Sequence, residues 1–176
     1  MKLWISVAAL ALVATAARAE VMDATPGGFQ VKHAVEIAAP ANKVWAWLLQ
    51  PATWWDSSHT WSGSAANLSL AAASGGCFCE RLPGGGSVLH MSTVYAQPGQ
   101  KLTLFGALGP LQSSGAAGHL NFGLAEKDGK TTLTVTYDVG GYMKGGLDRI
   151  AAPVDGVIGQ QVARLKRQVE AGKPSQ

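Results

Sequence analysis

The sequence predicts an α+β domain: a curved antiparallel sheet of about seven strands wrapped on a long C-terminal helix, with two short helices after the first strand. Three observations carry this reading. The segment 147–172 places Val154, Val157, Ile158, Val162, Leu165 and Val169 at three- and four-residue steps, one side of a long amphipathic helix. Six strand-like runs between 68 and 139 are separated by hairpin turn chemistry, which makes an antiparallel meander. The alternating run 29–37 comes before two short segments bounded by Pro40 and Pro51, outside that meander.

The chain of 176 residues opens MKLWISVAALALVATAARAE. Lys2 supplies a short basic start, Leu3 to Ala16 an apolar run, and Ala17-Arg18-Ala19 a small-x-small cleavage site, so residues 1–19 read as an export signal. The run is short and Ala-rich for a spanning helix, so a retained anchor is the weaker alternative, and stable membrane insertion is not expected after cleavage. Removing 19 of 176 residues leaves 157, the size of one domain with one core. Losing Lys2 and Arg18 reduces the net charge from +3 to about +1, without a basic run before the last helix, which counts against nucleic-acid binding. The mature chain is expected to be periplasmic or secreted, and monomeric.

Residues 20–28 read as a loose leader and 173–176 as a tail. In the first strand Phe29, Val31, His33, Val35 and Ile37 share a side, which makes His33 a packed, structural histidine. Pro40 starts a helix with Val44, Trp47 and Leu48 on its face, and a second short turn over 52–56 carries Trp54 and Trp55. The polar loop that follows holds His59 and Trp61. The meander strands are Leu68–Ala72, Cys77–Leu82, Ser87–Ala96, Leu102–Leu108, His119–Glu126 and Thr131–Val139. Gly140–Gly146 reads as a hinge before the tail helix or as a plain turn, and Gly172 followed by Pro174 as the helix stop.

The stretches IAAPANKVWAWLLQPATWW, GGCFCE…GGGSVLHMSTVYAQPGQKL and the tail helix together resemble the SRPBCC superfamily, which includes START lipid-transfer domains, polyketide cyclases and heat-shock ATPase activators. The resemblance covers about residues 29–171. Gly109-Pro110-Leu111-Gln112 and Val139-Gly140-Gly141-Tyr142 make the chain similar to a small exported bacterial group within it. The resemblance implies a helix-grip fold with a cavity between sheet and tail helix, and does not by itself fix an activity.

Candidate chemistry centres on the hairpin of the second and third meander strands. Phe78 and Glu80 share a side of one strand, and His90 lies on its neighbour. Facing inward, Glu80 and His90 would form a carboxylate–imidazole acid–base pair; facing outward, they would be a surface ion pair of little consequence. Trp54, Trp55, His59 and Trp61 stand where a helix-grip cavity would have its mouth; they either line a ligand site, with Phe78, Tyr95, Tyr137 and Tyr142, or cap the core. Cys77 and Cys79 are poorly spaced for zinc, even with His59 or His119 added, and no metal or cofactor is expected. In a regular strand their Cα atoms would stand about 6.5–7 Å apart, so a disulfide between them needs a bent or bulged backbone; two packed thiols, or such a bridge formed after export, are the two readings. There is no Gly-x-Ser-x-Gly elbow and no phosphate loop.

The expectation is therefore an exported protein that binds a small, largely apolar or lipid-like molecule. A cyclase- or hydrolase-type enzyme using Glu80 and His90, with Tyr95 or Tyr137 nearby, is the alternative. A protein-interaction role like that of the ATPase activators belongs to the cytosol, and the export signal speaks against it.

Overall fold

The computed structural model describes residues 18–172. The expected export signal lies outside them except for its last two residues, and the tail 173–176 lies outside them entirely. The strands are β1 (Arg18–Thr25), β2 (Gly28–Ile37), β3 (Leu68–Leu70), β4 (Cys77–Arg81), β5 (Ser87–Gln97), β6 (Lys101–Gly106), β7 (Gly115–Lys127) and β8 (Lys130–Tyr142). The helices are α1 (Ala41–Leu48), α2 (Pro51–Trp54) and α3 (Asp148–Ala171). The strands form one antiparallel sheet in the order β1-β2-β8-β7-β6-β5-β4-β3.

This is the expected helix-grip arrangement, with one strand more than predicted. The segment read as a loose leader is β1, which pairs with β2 through a turn at Pro26-Gly27. Its irregular register between Val21 and Asp23 breaks the alternation that would have marked it in the sequence. The backbone around that turn is held from elsewhere: Leu147 N–H donates to Pro26 O and Gly141 N–H to Gly27 O. Two further boundaries move. β7 begins inside the Gly-rich connection and β8 runs on through Gly140 and Gly141, so the expected hinge shrinks to the four or five residues before α3. Gly145 and Gly146 there take φ of 94° and 91°, which only glycine adopts without strain.

β2 has the predicted alternation, with Phe29, Val31, His33 and Ile37 buried on the inner face. The opposing side of α3 divides in two. Toward the C-terminus Ile158, Val162, Leu165 and Val169 are buried against the sheet and the short helices, and Gly172 closes the helix in the left-handed conformation. Fully burying aliphatic side chains of this size contributes about 1.5–3 kcal/mol each, so this half holds the helix down. His33 Nε2 lies 2.8 Å from Asp155 Oδ1 on α3, and Gly159 leaves room for that ring: a Cβ there would stand 2.7 Å from it. Toward the N-terminus, Ile150, Pro153, Val154 and Val157 face open space.

Candidate functional site

That space is a cavity of about 370 Å³ between the N-terminal half of α3 and the far end of the sheet. Its floor is Leu68 of β3, Phe78 of β4 and His90 of β5. One side is the loop 55–61 and the other the Gly109–Ser113 turn with the preceding Leu108. The wall is overwhelmingly apolar and aromatic. Trp55 meets Phe78 edge to face, with ring centroids 5.3 Å apart and planes at 65°, and Phe78 lies tilted at 35° to His90 with centroids 5.1 Å apart.

The inward position of His90 depends on a bulge. Phe78 pairs with Met91 and Cys79 with Leu89, so His90 is the extra residue of β5. Both His90 and the next residue, Met91, therefore turn inward, a double inward step that simple alternation does not produce. A second irregularity between Thr93 and Tyr95 reverses the phase, and Tyr95 points out. The same bulge accompanies the bridge between Cys77 and Cys79, whose Cα atoms are 5.4 Å apart rather than at regular strand spacing. Both cysteines are thus bonded, not thiolate ligands, and among the described residues no metal-ligating cluster of three or more forms.

Glu80 and His90 meet: His90 Nε2 is 2.9 Å from Glu80 Oε2, and both side chains are buried. Glu80 also accepts hydrogen bonds from the backbone N–H of Trp61 at 3.1 Å and Ser62 at 2.5 Å. Burial pushes the Glu80 carboxyl up, but the bonds from Ser62, Trp61 and His90 outweigh it and hold the group below its ordinary value. Burial dominates for His90 and lowers it, despite the upward pull of the Glu80 charge. The pair at neutral pH is therefore a carboxylate and a neutral imidazole whose Nε2 carries the proton. The other ring nitrogen, Nδ1, has the Gln112 amide nitrogen as its hydrogen-bonding neighbour among the described residues, at 3.4 Å. Gln112 Oε1 in turn accepts from Trp61 Nε1 at 2.7 Å. Trp61, Glu80, His90 and Gln112 thus close a ring of polar contacts that ties both flanking loops to the sheet.

The remaining expected site residues divide. Trp55, His59, Trp61 and Phe78 line the cavity. Trp54 does not; it is buried behind Trp55, its Nε1 donating to Trp47 O. Tyr137 is wholly buried in the core against Phe29, and burial pushes its phenol well up. Tyr95 and Tyr142 are exposed on the outside of the molecule, Tyr95 turned out by the second bulge and Tyr142 at the end of β8. His119 is on the outer face, its ring tilted against that of Phe105 with centroids 4.9 Å apart. What sequence reasoning missed are Leu68, Leu108, Pro110 and Gln112, and the cavity side of α3. The Gly-Pro-Leu-Gln run was a visible signal for the turn, but its proximity to Trp61 and His90 is a matter of tertiary folding.

The loop 55–61 is fastened to α3. Asp56 N–H donates to Gln161 Oε1 at 2.8 Å, and Arg164 donates to the carbonyls of Trp54 and Trp55 at 2.7 and 3.4 Å. The backbone and hydroxyl of Ser58 hold the Asp56 carboxyl below its ordinary value.

The model of the family described as polyketide cyclase/dehydrase and lipid transport matches residues 28–170. No curated protein matches the chain. Among solved structures it is similar to CalU16 from Micromonospora echinospora, at 15% identity over 92% of this chain and 88% of that one, with a TM-score of 0.59. It is similar to DynU16, of the dynemicin biosynthetic locus, at 22% identity over 84% and 49%, TM-score 0.57. The Aha1 dimer from Colwellia psychrerythraea matches at 18% identity over 82% and 98%, TM-score 0.57. At such identities the likeness concerns the fold alone.

Proposed function

The chain belongs to the polyketide cyclase/dehydrase and lipid-transport family, and from that premise we propose that it is an exported, monomeric binding protein that holds one small, largely apolar molecule under α3. The observation that carries the reading is the cavity itself: about 370 Å³, walled by aromatic and aliphatic side chains, open between two anchored loops. Concave apolar space of this size is within the range of small-molecule sites, about 300–1,000 Å³, and contact with a matching ligand replaces water that the wall holds poorly. Export rests on the pattern of residues 1–19.

The Glu80–His90 pair favours the enzymatic alternative, yet its setting supports binding more strongly. Glu80 has both oxygens occupied and is held ionised, so it is a poor proton carrier near neutral pH.

Native mass spectrometry of the protein recovered from its own periplasm tests the proposal. A co-purifying small molecule that is lost on denaturation, and that quenches tryptophan emission when added back, is the expected result. Absence of any bound species, together with no response of the wild-type tryptophan emission to a panel of apolar probes, overturns it.

A further inference from the structure

We propose that the cavity selects neutral ligands carrying a hydroxyl, and that His90 Nδ1 is the acceptor that reads it. This rests on the cavity reading above and deepens it.

The polar side-chain donors on the cavity wall already have partners. Trp55 Nε1 donates to His59 O, and Trp61 Nε1 to Gln112 Oε1. Ser58 Oγ donates to Asp56 Oδ1, and Thr60 Oγ1 to Ser57 O. His59 Nε2 faces Gln160 Oε1 at 3.1 Å and so must be its donor. His90 Nε2 donates to Glu80. Among the described residues, every side-chain donor on the wall is thus already engaged, and no Lys or Arg lines the cavity. A carboxylate or phosphate brought inside would lose its hydration and find neither a Lys or Arg nor a free side-chain donor, which is costly.

The acceptor side is different: His59 Nδ1 is left as an acceptor at the exposed mouth, whereas the acceptor beside the buried aromatic rings is on His90. Because Glu80 fixes the proton on Nε2, Nδ1 presents a lone pair. Its hydrogen-bonding neighbour among the described residues, the Gln112 amide nitrogen, stands 3.4 Å away and also reaches Leu89 O at 3.3 Å. Both contacts are long for N–H donors, whose usual range is about 2.7–3.2 Å, so the amide is readily displaced by a better donor. A hydroxyl is such a donor, and the adjoining rings of Phe78 and Trp55, set edge to face, offer apolar contact for the body that carries it. The volume is at the low end for small-molecule sites, which admits a body of two or three fused rings or one short chain and leaves no room for a two-chain lipid.

The test is isothermal titration calorimetry at pH 8 with three compounds of one skeleton: 2-naphthol, 2-methoxynaphthalene and 2-naphthoate. The first is neutral with a donor, the second neutral without one, and the third anionic. The expected order is naphthol tighter than methoxynaphthalene by about 10-fold, with naphthoate weaker than both by a further 10-fold or more. In His90→Phe the preference for naphthol over methoxynaphthalene disappears while methoxynaphthalene still binds. If His90→Phe does not fold because it strands the Glu80 carboxylate, the double variant Glu80→Gln/His90→Phe is used with the same expectation. Equal or tighter binding of naphthoate, or a preference that survives loss of the imidazole, overturns the hydroxyl inference and leaves the cavity reading standing. Failure of all three compounds to bind overturns both.

Discussion

Glu80→Gln is the sharpest single perturbation of the site. The wild-type carboxylate is almost fully buried and accepts from Trp61 N, Ser62 N and His90 Nε2. A glutamine can place its oxygen toward Trp61 and His90 or toward Ser62, but not toward both; its NH₂ then meets an N–H head-on. One charge-assisted bond is lost, at about 1.5–3 kcal/mol, and the others fall to neutral strength, so the expected cost is about 3–4 kcal/mol. For a domain of this length that is a fall in Tm of roughly 10 °C. The pH dependence changes as well. In the wild type both groups have lowered values in the fold, so the folded state holds fewer protons than the unfolded chain through two windows. The contribution of neutral His90 is complete above pH 6.5 and shrinks as pH falls below it; that of ionised Glu80 is complete above 4.5 and is lost as pH falls through its lower folded value. Glu80→Gln abolishes the acid window and deepens the one that begins at 6.5, since the charge supporting protonated His90 is gone. Calorimetric melts from pH 3 to 8 read both. A Tm within about 2 °C of wild type at pH 7, or an unchanged acid window, refutes the reasoning.

Three other outcomes follow from the geometry. Gly118→Ala sets a Cβ 2.1 Å from Asp138 O and 3.0 Å from Tyr137 Cε2, so β7 and β8 must part; we expect a loss of about 1–3 kcal/mol in urea unfolding, whereas Gly123→Ala, 3.9 Å from Thr134 O, loses none. The double variant Cys77→Ala/Cys79→Ala removes a bridge that closes a very short loop, for which chain entropy gives a loss of about 1–2 kcal/mol; alkylation and mass measurement of the native protein must show no free thiol. Arg164→Met frees the carbonyls of Trp54 and Trp55, which is expected to lower stability by about 1–2 kcal/mol and to speed release of a cavity-bound probe in stopped-flow fluorescence; an unchanged release rate would show that this clasp does not gate the cavity.

The architecture was legible because its signals are local and periodic. The inner side of β2, the buried side of α3 and the hairpin turns follow from spacing alone, and Gly172 marks the end of α3 by the conformation only glycine takes freely. β1 was not legible: eight residues with a broken alternation look like a leader until a partner strand supplies their hydrogen bonds. Glu80 and His90 were found as a pair because they flank one hairpin. Tyr95 and Tyr142 were misplaced because their side depends on bulges and strand ends, not on residue type.

What the sequence determined by itself is which residues are apolar at which period, and so the sheet, the turns and the tail helix. Only the tertiary structure decided that α3 is clamped along one half and spans a void along the other, that a bulge turns His90 inward toward Glu80, and that Gln112 reaches Trp61. Periodic burial is a property of one segment, whereas a cavity is the space that several segments leave unfilled. No local pattern records that remainder, because it depends on the register, bulges and loop anchors of strands far apart in the chain.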